Sequence, residues 1–352
     1  MERPIRIAGA GVSGLMAAIR LAQQGASVEI YERAPDSGAN HAPRFDAVEN
    51  WTTRADLRQV LSAWRIEIPL RQPDALEVFD SRADRYRATP ERPTLYVVRR
   101  GPEPDSLEQA MKRQALNLGV RLRYRATLAP NEADLWAVGA RARGRFLAAG
   151  LGFTTSHPDV VRVLVDRRLS PNAYAYLIVL DGHGTLSVVL TRQFKDARAR
   201  LGEAVRAFQR LQTIEMIDAR PSGGVGGSLD AFRRPPIGPP SLGEAAGFQD
   251  YLWGFGIRLA LQSGDLAARA LTEGTDYEES ATREIRPLVQ ASLRLRALYD
   301  RVGDRGDRML IRGIATVEDP GAMLRHAYEL AAVRPMLGSS LASRRPTTAP
   351  AV

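Results

Sequence analysis

Cysteine is absent from all 352 residues, which excludes disulfides, thiolate metal sites and any redox-active cysteine pair. Histidine is nearly as scarce. His41, His157, His183 and His326 lie far apart without metal-ligand spacing, so no metal centre is expected. Lysine is confined to Lys112 and Lys195, and the formal net charge of +9 therefore comes from arginine. Arg20, Arg33, Arg44, Arg54 and Arg58 are scattered among acids, a pattern of a solvated surface rather than a basic tract, and no nucleic-acid partner is expected. Attraction to anionic substrates, or peripheral contact with an anionic membrane surface, stays open. No apolar run reaches the length of a bilayer span, so no transmembrane segment is expected. The first strand pattern begins at residue 5, with no room ahead of it for a signal peptide, and a cytoplasmic protein is expected.

What the chain does have stands at its start. Gly9, Gly11 and Gly14 lie between the short apolar strand Ile5-Arg6-Ile7-Ala8 and a helical run from Leu15 to Gln24. Gly9 permits the tight turn, Gly11 lets backbone approach a phosphate, and Gly14 lets the helix pack closely on the sheet. The first helical amides, at Val12 and Ser13, then face the anion. Glu32, with Arg33 beside it, closes the next strand, Ser27 to Tyr31, at the distance where a carboxylate accepts hydrogen bonds from ribose hydroxyls. That carboxylate would repel a 2′-phosphate, so the expected ligand begins with an unphosphorylated adenosine.

Length suits two interleaved domains. Residues 34–43 form a polar loop, and the stretch to about Arg71, with Trp51, Trp64 and short helical pieces, looks like an insertion over the ligand. Strands are expected at Leu76 to Phe79 and Thr94 to Val98, then a helix from Ser106 to Leu118 stopped by Gly119, then strands at Val120 to Tyr124 and Leu135 to Val138. Between Val160 and Thr191 β-branched and aromatic residues dominate, with a hairpin turn at Asp181-Gly182-His183-Gly184. Helical spacing returns from Ala197 to Ile217, and Gly223 to Gly227 is expected to be a flexible connector. A strand-like segment near Ile237, a long helix from Arg258 to Thr272, and helices over Glu279 to Asp300 and Ala322 to Ala332 follow.

Late in the chain stand Leu242-Gly243-Glu244-Ala245-Ala246-Gly247, then Gly254-Phe255-Gly256-Ile257, then Ser263-Gly264-Asp265-Leu266-Ala267-Ala268. Together with the N-terminal glycines, these segments make residues 4 to 275 resemble the FAD-dependent oxidoreductases of the geranylgeranyl reductase-like group, within the p-hydroxybenzoate hydroxylase-like flavoprotein superfamily. The resemblance implies an α/β fold: a Rossmann-like FAD-binding domain, an interleaved antiparallel-sheet substrate domain and C-terminal helices. It divides the chain into FAD-binding parts at 1–75, 100–150 and 223–275 and substrate-domain parts at 76–99 and 151–222. A C-terminal helical region at 276–338 and a disordered tail at 339–352 complete it. FAD is the implied cofactor. Its pyrophosphate and ribityl chain would lie against Gly9, Gly11, Val12, Ser13, Gly14, Gly243 and Glu244, and its flavin edge against Gly254, Gly256 and Ile257. Glu32 and Arg33 would take the ribose, and Gly139, after the strand Ala133 to Val138, the adenosine side. Arg100 resembles an arginine near the pyrophosphate; a surface role is the alternative.

Departures from the family pattern matter too. Glu244 replaces an aspartate, and Arg141 stands where an aspartate helps organise reduction by a nicotinamide cofactor. Whether NAD(P)H or a separate electron donor supplies electrons is therefore left open. Tyr251 replaces a proline ahead of Gly254, with Trp253 and Phe255 beside it, and Gly38 to His41 replaces a cysteine-containing loop. Leu169 to Tyr176 resembles a substrate-domain motif, which makes Tyr174 and Tyr176, with His41, the candidate catalytic residues; the alternative for the tyrosines is packing on one strand face. Trp51 and Trp253 are weaker cavity candidates. The implied activity is hydride transfer from reduced flavin to a double bond of a small apolar, isoprenoid-like substrate, with Tyr176, His41 or water as proton source. Alternatives are a flavin monooxygenase and a non-catalytic binding protein for prenylated or apolar ligands.

Overall fold

The computed structural model describes residues 3–140, 144–233 and 237–333. The tail expected at 339–352, residues 334–338 and the departure at Arg141 lie outside the described residues. In chain order the elements are β1 (Ile5–Ala8), α1 (Val12–Gln23), β2 (Val28–Glu32), β3 (Arg44–Glu49), α2 (Leu57–Ala63), β4 (Leu76–Phe79), β5 (Arg85–Ala88) and β6 (Leu95–Arg100). Then come α3 (Leu107–Asn117), β7 (Arg121–Tyr124), β8 (Leu135–Trp136), β9 (Phe146–Thr154), β10 (Val160–Leu164), β11 (Ala175–Leu180), β12 (His183–Leu190), α4 (Ala197–Leu211) and β13 (Ile217–Gly226). Among the described residues five helices follow: α5 (Leu229–Arg233), α6 (Ile257–Glu273), α7 (Tyr277–Glu284), α8 (Arg286–Thr316) and α9 (Pro320–Val333).

Three sheets organise these elements. The first is parallel, in the order β7-β2-β1-β8, and packs its apolar residues, Ile7 and Ile30 among them, against α1, α3 and α6. Short βα connections and parallel pairing are what alternating apolar strands and amphipathic helices enforce. The second has seven strands in the order β13-β9-β12-β11-β10-β4-β5, antiparallel except where β10 meets β4. Its hairpin between β11 and β12 turns on Asp181 and Gly182, with φ of 50° and 75°, the two left-handed positions of a tight hairpin turn. One face, carrying Leu177, Val179, Leu186 and Val188, buries α4 through Ala204 and Phe208.

The third sheet is a ribbon of β3 and β6, and it joins the two units. Because side chains alternate along a strand, Phe45, Leu95 and Val97 pack on Val161 and Ile178 of the seven-stranded sheet, whereas Val48, Tyr96 and Val98 enter the core around α1. The C-terminal helices cover the far side. A bend at Gly303 (φ 62°, ψ −169°) breaks α8, and Arg167 holds Asp307 there at 2.6 and 2.7 Å. Among the described residues no helix is long and apolar enough to cross a membrane.

Several expectations move. Residues 44–49 are a strand rather than part of a helical insertion, and β6 pairs with β3 instead of joining the substrate sheet, so that of 76–99 only β4 and β5 belong there. The boundaries at 150/151 and 222/223 fall inside β9 and β13. Gly223 to Gly226 form the end of β13, not a flexible connector. The cause is proximity: a Cβ at Gly223 would stand 2.1 Å from the Ala148 carbonyl oxygen, so a glycine is what lets β13 approach β9. The helix expected over Glu279 to Asp300 is interrupted at Ile285 and continues to Thr316, and that expected to reach Ile217 stops at Leu211.

Candidate functional site

The two glycine-rich segments meet above the parallel sheet. Gly9 has φ +100°, and a Cβ there would stand 2.3 Å from the Ala137 carbonyl oxygen; at Gly14 it would stand 2.0 Å from the Gly9 carbonyl oxygen. Both glycines are therefore required by close backbone approach. Gly11 differs. A Cβ there would meet nothing within 4 Å, so this glycine faces open space at the head of α1. Gly11 is also the N-cap of α1 and offers no side chain to its first amides, leaving the helix end, with Val12 and Ser13, as an anion seat.

Glu32 ends β2 beside that seat. Its Oε2 accepts from Ala10 N and its Oε1 from Ala34 N, both at 2.8 Å, which fixes the carboxylate against the glycine loop with lone pairs to spare. Arg33 is exposed. Gly139 follows β8 with φ +77° and open space around it. The late segment arrives because Trp136 N donates to Pro240 O at 2.9 Å and Leu242 N to Trp136 O at 2.8 Å, extending the sheet by one bridge. Gly243 (φ +56°) then lies so close to Ser13 that a Cβ would stand 2.9 Å from its Oγ, and Ser263 Oγ accepts from Gly243 N at 2.9 Å. Glu244 turns its carboxylate to the end of β13, where Oε1 accepts from Gly227 N at 2.6 Å; burial pushes its pKa up.

Gly254, Phe255 and Gly256 form a tight turn into α6. Asp250 N donates to Phe255 O at 2.7 Å, Gly254 N to Asp250 O at 2.9 Å, and Gln249 Nε2 to Gly254 O at 2.8 Å. Gly256 caps α6 and Ile257 begins it, again without a capping side chain. Tyr251, in the place of the expected proline, is buried and donates to Gly247 O at 3.1 Å.

A third group comes from the ribbon. Arg100 donates to Glu108 Oε1 at 2.6 Å and to Asp46 Oδ2 at 3.2 Å, while Arg44 grips both Asp46 oxygens at 3.0 and 3.1 Å and reaches Gly223 O at 3.3 Å. His41 lies between them, each ring nitrogen 3.3 Å from a guanidinium. Burial, then Arg100 and Arg44, push His41 down to about 4. It is a neutral imidazole at pH 7, with little acidity to offer as a proton donor. Burial would raise Asp46, yet the two arginines hold it at about 2. Arg100 is thus no isolated surface residue, and Arg44 and Arg20, read from sequence as solvated, are mostly buried and ion-paired.

Tyr174 and Tyr176 are 6.2 Å apart, ring to ring, and Tyr174 packs on Trp253 at 6.1 Å. The Tyr174 hydroxyl donates to Trp253 O at 2.7 Å, which commits its proton to a carbonyl. Tyr176 is in the field of Arg44 and Asp46, and burial pushes its hydroxyl up. Trp51 is buried with its ring edge-on to Phe255 at 5.2 Å. Sequence reading passed over Asp46, Glu49 and Arg258, since no spacing rule singles out a polar residue buried by partners far along the chain.

Residues 7–56 match the family of NAD(P)-binding Rossmann-like domains. No curated protein matches the chain by sequence. Among solved structures, a geranylgeranyl bacteriochlorophyll reductase-like protein from Thermoplasma acidophilum is 14% identical, with a TM-score of 0.71 over 93% of this chain and 95% of that one. A flavoprotein/dehydrogenase from Cytophaga hutchinsonii is 14% identical, with a TM-score of 0.62 over 94% and 92% of the two chains. A variant of 2-methyl-3-hydroxypyridine-5-carboxylic acid oxygenase is 17% identical, with a TM-score of 0.56 over 93% and 96%. The likeness at these identities is one of fold: a Rossmann-like nucleotide-binding unit with an interleaved antiparallel sheet and C-terminal helices, shared along nearly the whole chain.

Proposed function

We propose that the chain is an FAD-dependent oxidoreductase that reduces a double bond of a small apolar substrate lying between the flavin edge and the antiparallel sheet. The observation that carries this reading is the contact between the two glycine-rich segments: Gly243 lies against Ser13, on the first turn of α1 beside the open Gly11, and against Ala260, on the first turn of α6 after the Gly254–Gly256 turn. These residues fit a dinucleotide: two glycines that no side chain could replace, one that faces free space, and a carboxylate fixed beside them. Val12, Ser13 and Gly14 would hold the pyrophosphate by backbone N–H groups. Glu32 would accept from the adenosine ribose, with Gly139 near the adenosine, and the amides at the head of α6 would face the flavin pyrimidine edge. Bound FAD supplies hydride transfer, while the chain supplies orientation and exclusion of water.

Arg44 and Arg100, neutralised by Asp46 and Glu108, support the ribbon that separates the nucleotide unit from the sheet. Tyr176 beside this group, and Tyr174 with Trp253, offer an apolar wall with polar tips for the substrate. With His41 neutral, Tyr174 bonded to a carbonyl and the Tyr176 hydroxyl pushed up by burial, none of the three residues singled out from sequence is a ready acid, which favours water as the source of the substrate's proton. The test is the visible spectrum of the purified protein, followed by anaerobic addition of NADH or NADPH. A flavin spectrum supports the cofactor, and bleaching by one nucleotide identifies the donor. A bound flavin that no nucleotide reduces transfers the donor role to another protein; a colourless protein that cannot be reconstituted with FAD overturns the reading. Oxygen uptake coupled to substrate hydroxylation would replace the reductase by a monooxygenase.

A further inference from the structure

Away from the nucleotide seat, a groove of about 360 Å³ opens between α1, α2 and α6. One face of α6 forms its floor, because Arg258, Gln262, Asp265 and Arg269 recur at three- and four-residue spacing. Val60 of α2 and Trp64 at its end form an apolar wall. Trp64 is half-buried against the core around α1. Arg20 of α1 holds that wall in place: its Nη1 donates to Trp64 O at 3.3 Å and to Gln23 Oε1 at 2.7 Å, and its Nε to Asp265 Oδ1 at 2.7 Å.

Three guanidiniums and two carboxylates line the groove. Asp265 lies 2.7 Å from Arg20 and 3.2 Å from Arg269, whose other end is 3.6 Å from Glu284. Arg258 is left over. It is 3% exposed, and its hydrogen bonds go to neutral acceptors: the Glu49 carbonyl at 3.4 Å, Asn50 Oδ1 at 3.3 Å, Thr53 Oγ1 and Ala55 O. The acids whose field reaches it are otherwise engaged. Asp56 accepts from Asn50 at 2.7 Å and from the Tyr96 hydroxyl at 3.0 Å, and burial pushes Glu49 up to about 8, so that it is mostly protonated at neutral pH. Burial outweighs both acids and lowers the pKa of Arg258. A buried charge without a counter-charge is costly. The groove beside it also holds free donors: the Gln262 side chain makes no hydrogen bond among the described residues, and the Arg269 side chain, 37% exposed, makes ion-pair contacts alone.

We propose that this groove is an accessory binding site for a small planar organic carboxylate, its anion bonded to Gln262 and Arg269 in the field of Arg258 and its ring laid along Trp64 and Val60. One surplus positive charge matches a monoanion, and guanidinium and carboxylate pair in a common plane. The indole and the valine make the ring part of the recognition, because a bare anion leaves that wall uncovered. The volume is at the lower end of ligand sites and suits a single ring. The site does not depend on the FAD reading.

The experiment titrates the full chain, with FAD present to occupy the nucleotide seat, against benzoate, acetate, which lacks the ring, and benzamide, which lacks the charge. Binding is read from the tryptophan indole N–H resonances, with that of Trp64 assigned from Trp64→Phe. Benzoate should shift the Trp64 resonance with a Kd of about 1 mM or lower, and acetate and benzamide should each bind at least about tenfold more weakly. Gln262→Glu, at a half-buried position without a partner, sets a carboxylate in the groove where the ligand would bring its own. It should unfold at the same temperature as wild type within a few degrees and weaken benzoate at least about tenfold. Arg269→Gln removes a donor and should weaken benzoate about three- to tenfold, which serves the same comparison should Gln262→Glu not fold. A Trp64 resonance unmoved by benzoate up to about 20 mM, acetate or benzamide as effective as benzoate, or a folded variant with unchanged benzoate affinity overturns the proposal.

Discussion

Replacing Glu49 by glutamine should change how the stability of the cofactor-free protein depends on pH, by an amount the burial of this carboxyl sets. In the unfolded chain the group titrates at its ordinary 4.5; in the folded protein burial moves it to about 8. Between those values the folded state holds a proton that the unfolded state has released, so stability is fully present below about 4.5 and is lost as pH rises to about 8. A gap of about 3.5 units at ~1.4 kcal/mol per unit makes the loss roughly 4–5 kcal/mol. His41 acts oppositely. Its pKa falls from 6.5 to about 4, so it contributes stability that is present above 6.5 and lost as pH drops to about 4. The two slopes offset each other below about 6.5, and wild type should weaken mainly between about 6.5 and 8. Urea unfolding of both proteins at several pH values isolates the effect, since His41 and the packing cost of glutamine are constant in the difference. The Glu49→Gln difference should shift in favour of the variant by several kcal/mol from about pH 5 to about 8.5. Parallel profiles for the two proteins would refute the reasoning.

Three further substitutions probe the packing of α1, α8 and the ribbon. A Cβ at Gly264 would stand 2.7 Å from both Ser13 O and Met16 Cβ, so Gly264→Ala should lose about 1–3 kcal/mol by overpacking in spite of the ~1 kcal/mol helix preference for alanine. Gly313→Ala in α8, where nothing lies within 4 Å, should gain up to about 1 kcal/mol, and thermal unfolding of the pair separates space from propensity. Arg100→Gln should leave Glu108 buried without its guanidinium partner and cost about 3–5 kcal/mol. It should also move His41 up from about 4 toward 6.5, read by NMR titration of the ring protons.

What was legible from sequence was local. The glycine loop and Glu32 follow one another within a strand, a turn, a helix and a second strand, so their spacing carries their geometry. The Asp181–Gly182 hairpin was readable for the same reason. β3 was not, because Arg44 and Asp46 look like surface residues until β6 and α3 bring Arg100 and Glu108 against them. β13 was hidden by its own glycines, which have low strand propensity and are strand only because β9 lies against them. Glu49 has no local signal at all. Its isolation is made by α6 and α9, from more than two hundred residues away.

The central claim, that a dinucleotide lies at the open glycine, is tested most directly by FAD binding to Gly11→Val. The backbone there is extended, with φ −81° and ψ −175°, and nothing lies within 4 Å of a new Cβ, so the variant should fold with a loss of about 1 kcal/mol from the poorer cap. Its isopropyl group would occupy the space above the first amides of α1. The account predicts a wild type that binds FAD and a variant with the same circular dichroism that does not. A Gly11→Val protein that binds FAD as tightly as wild type would contradict it.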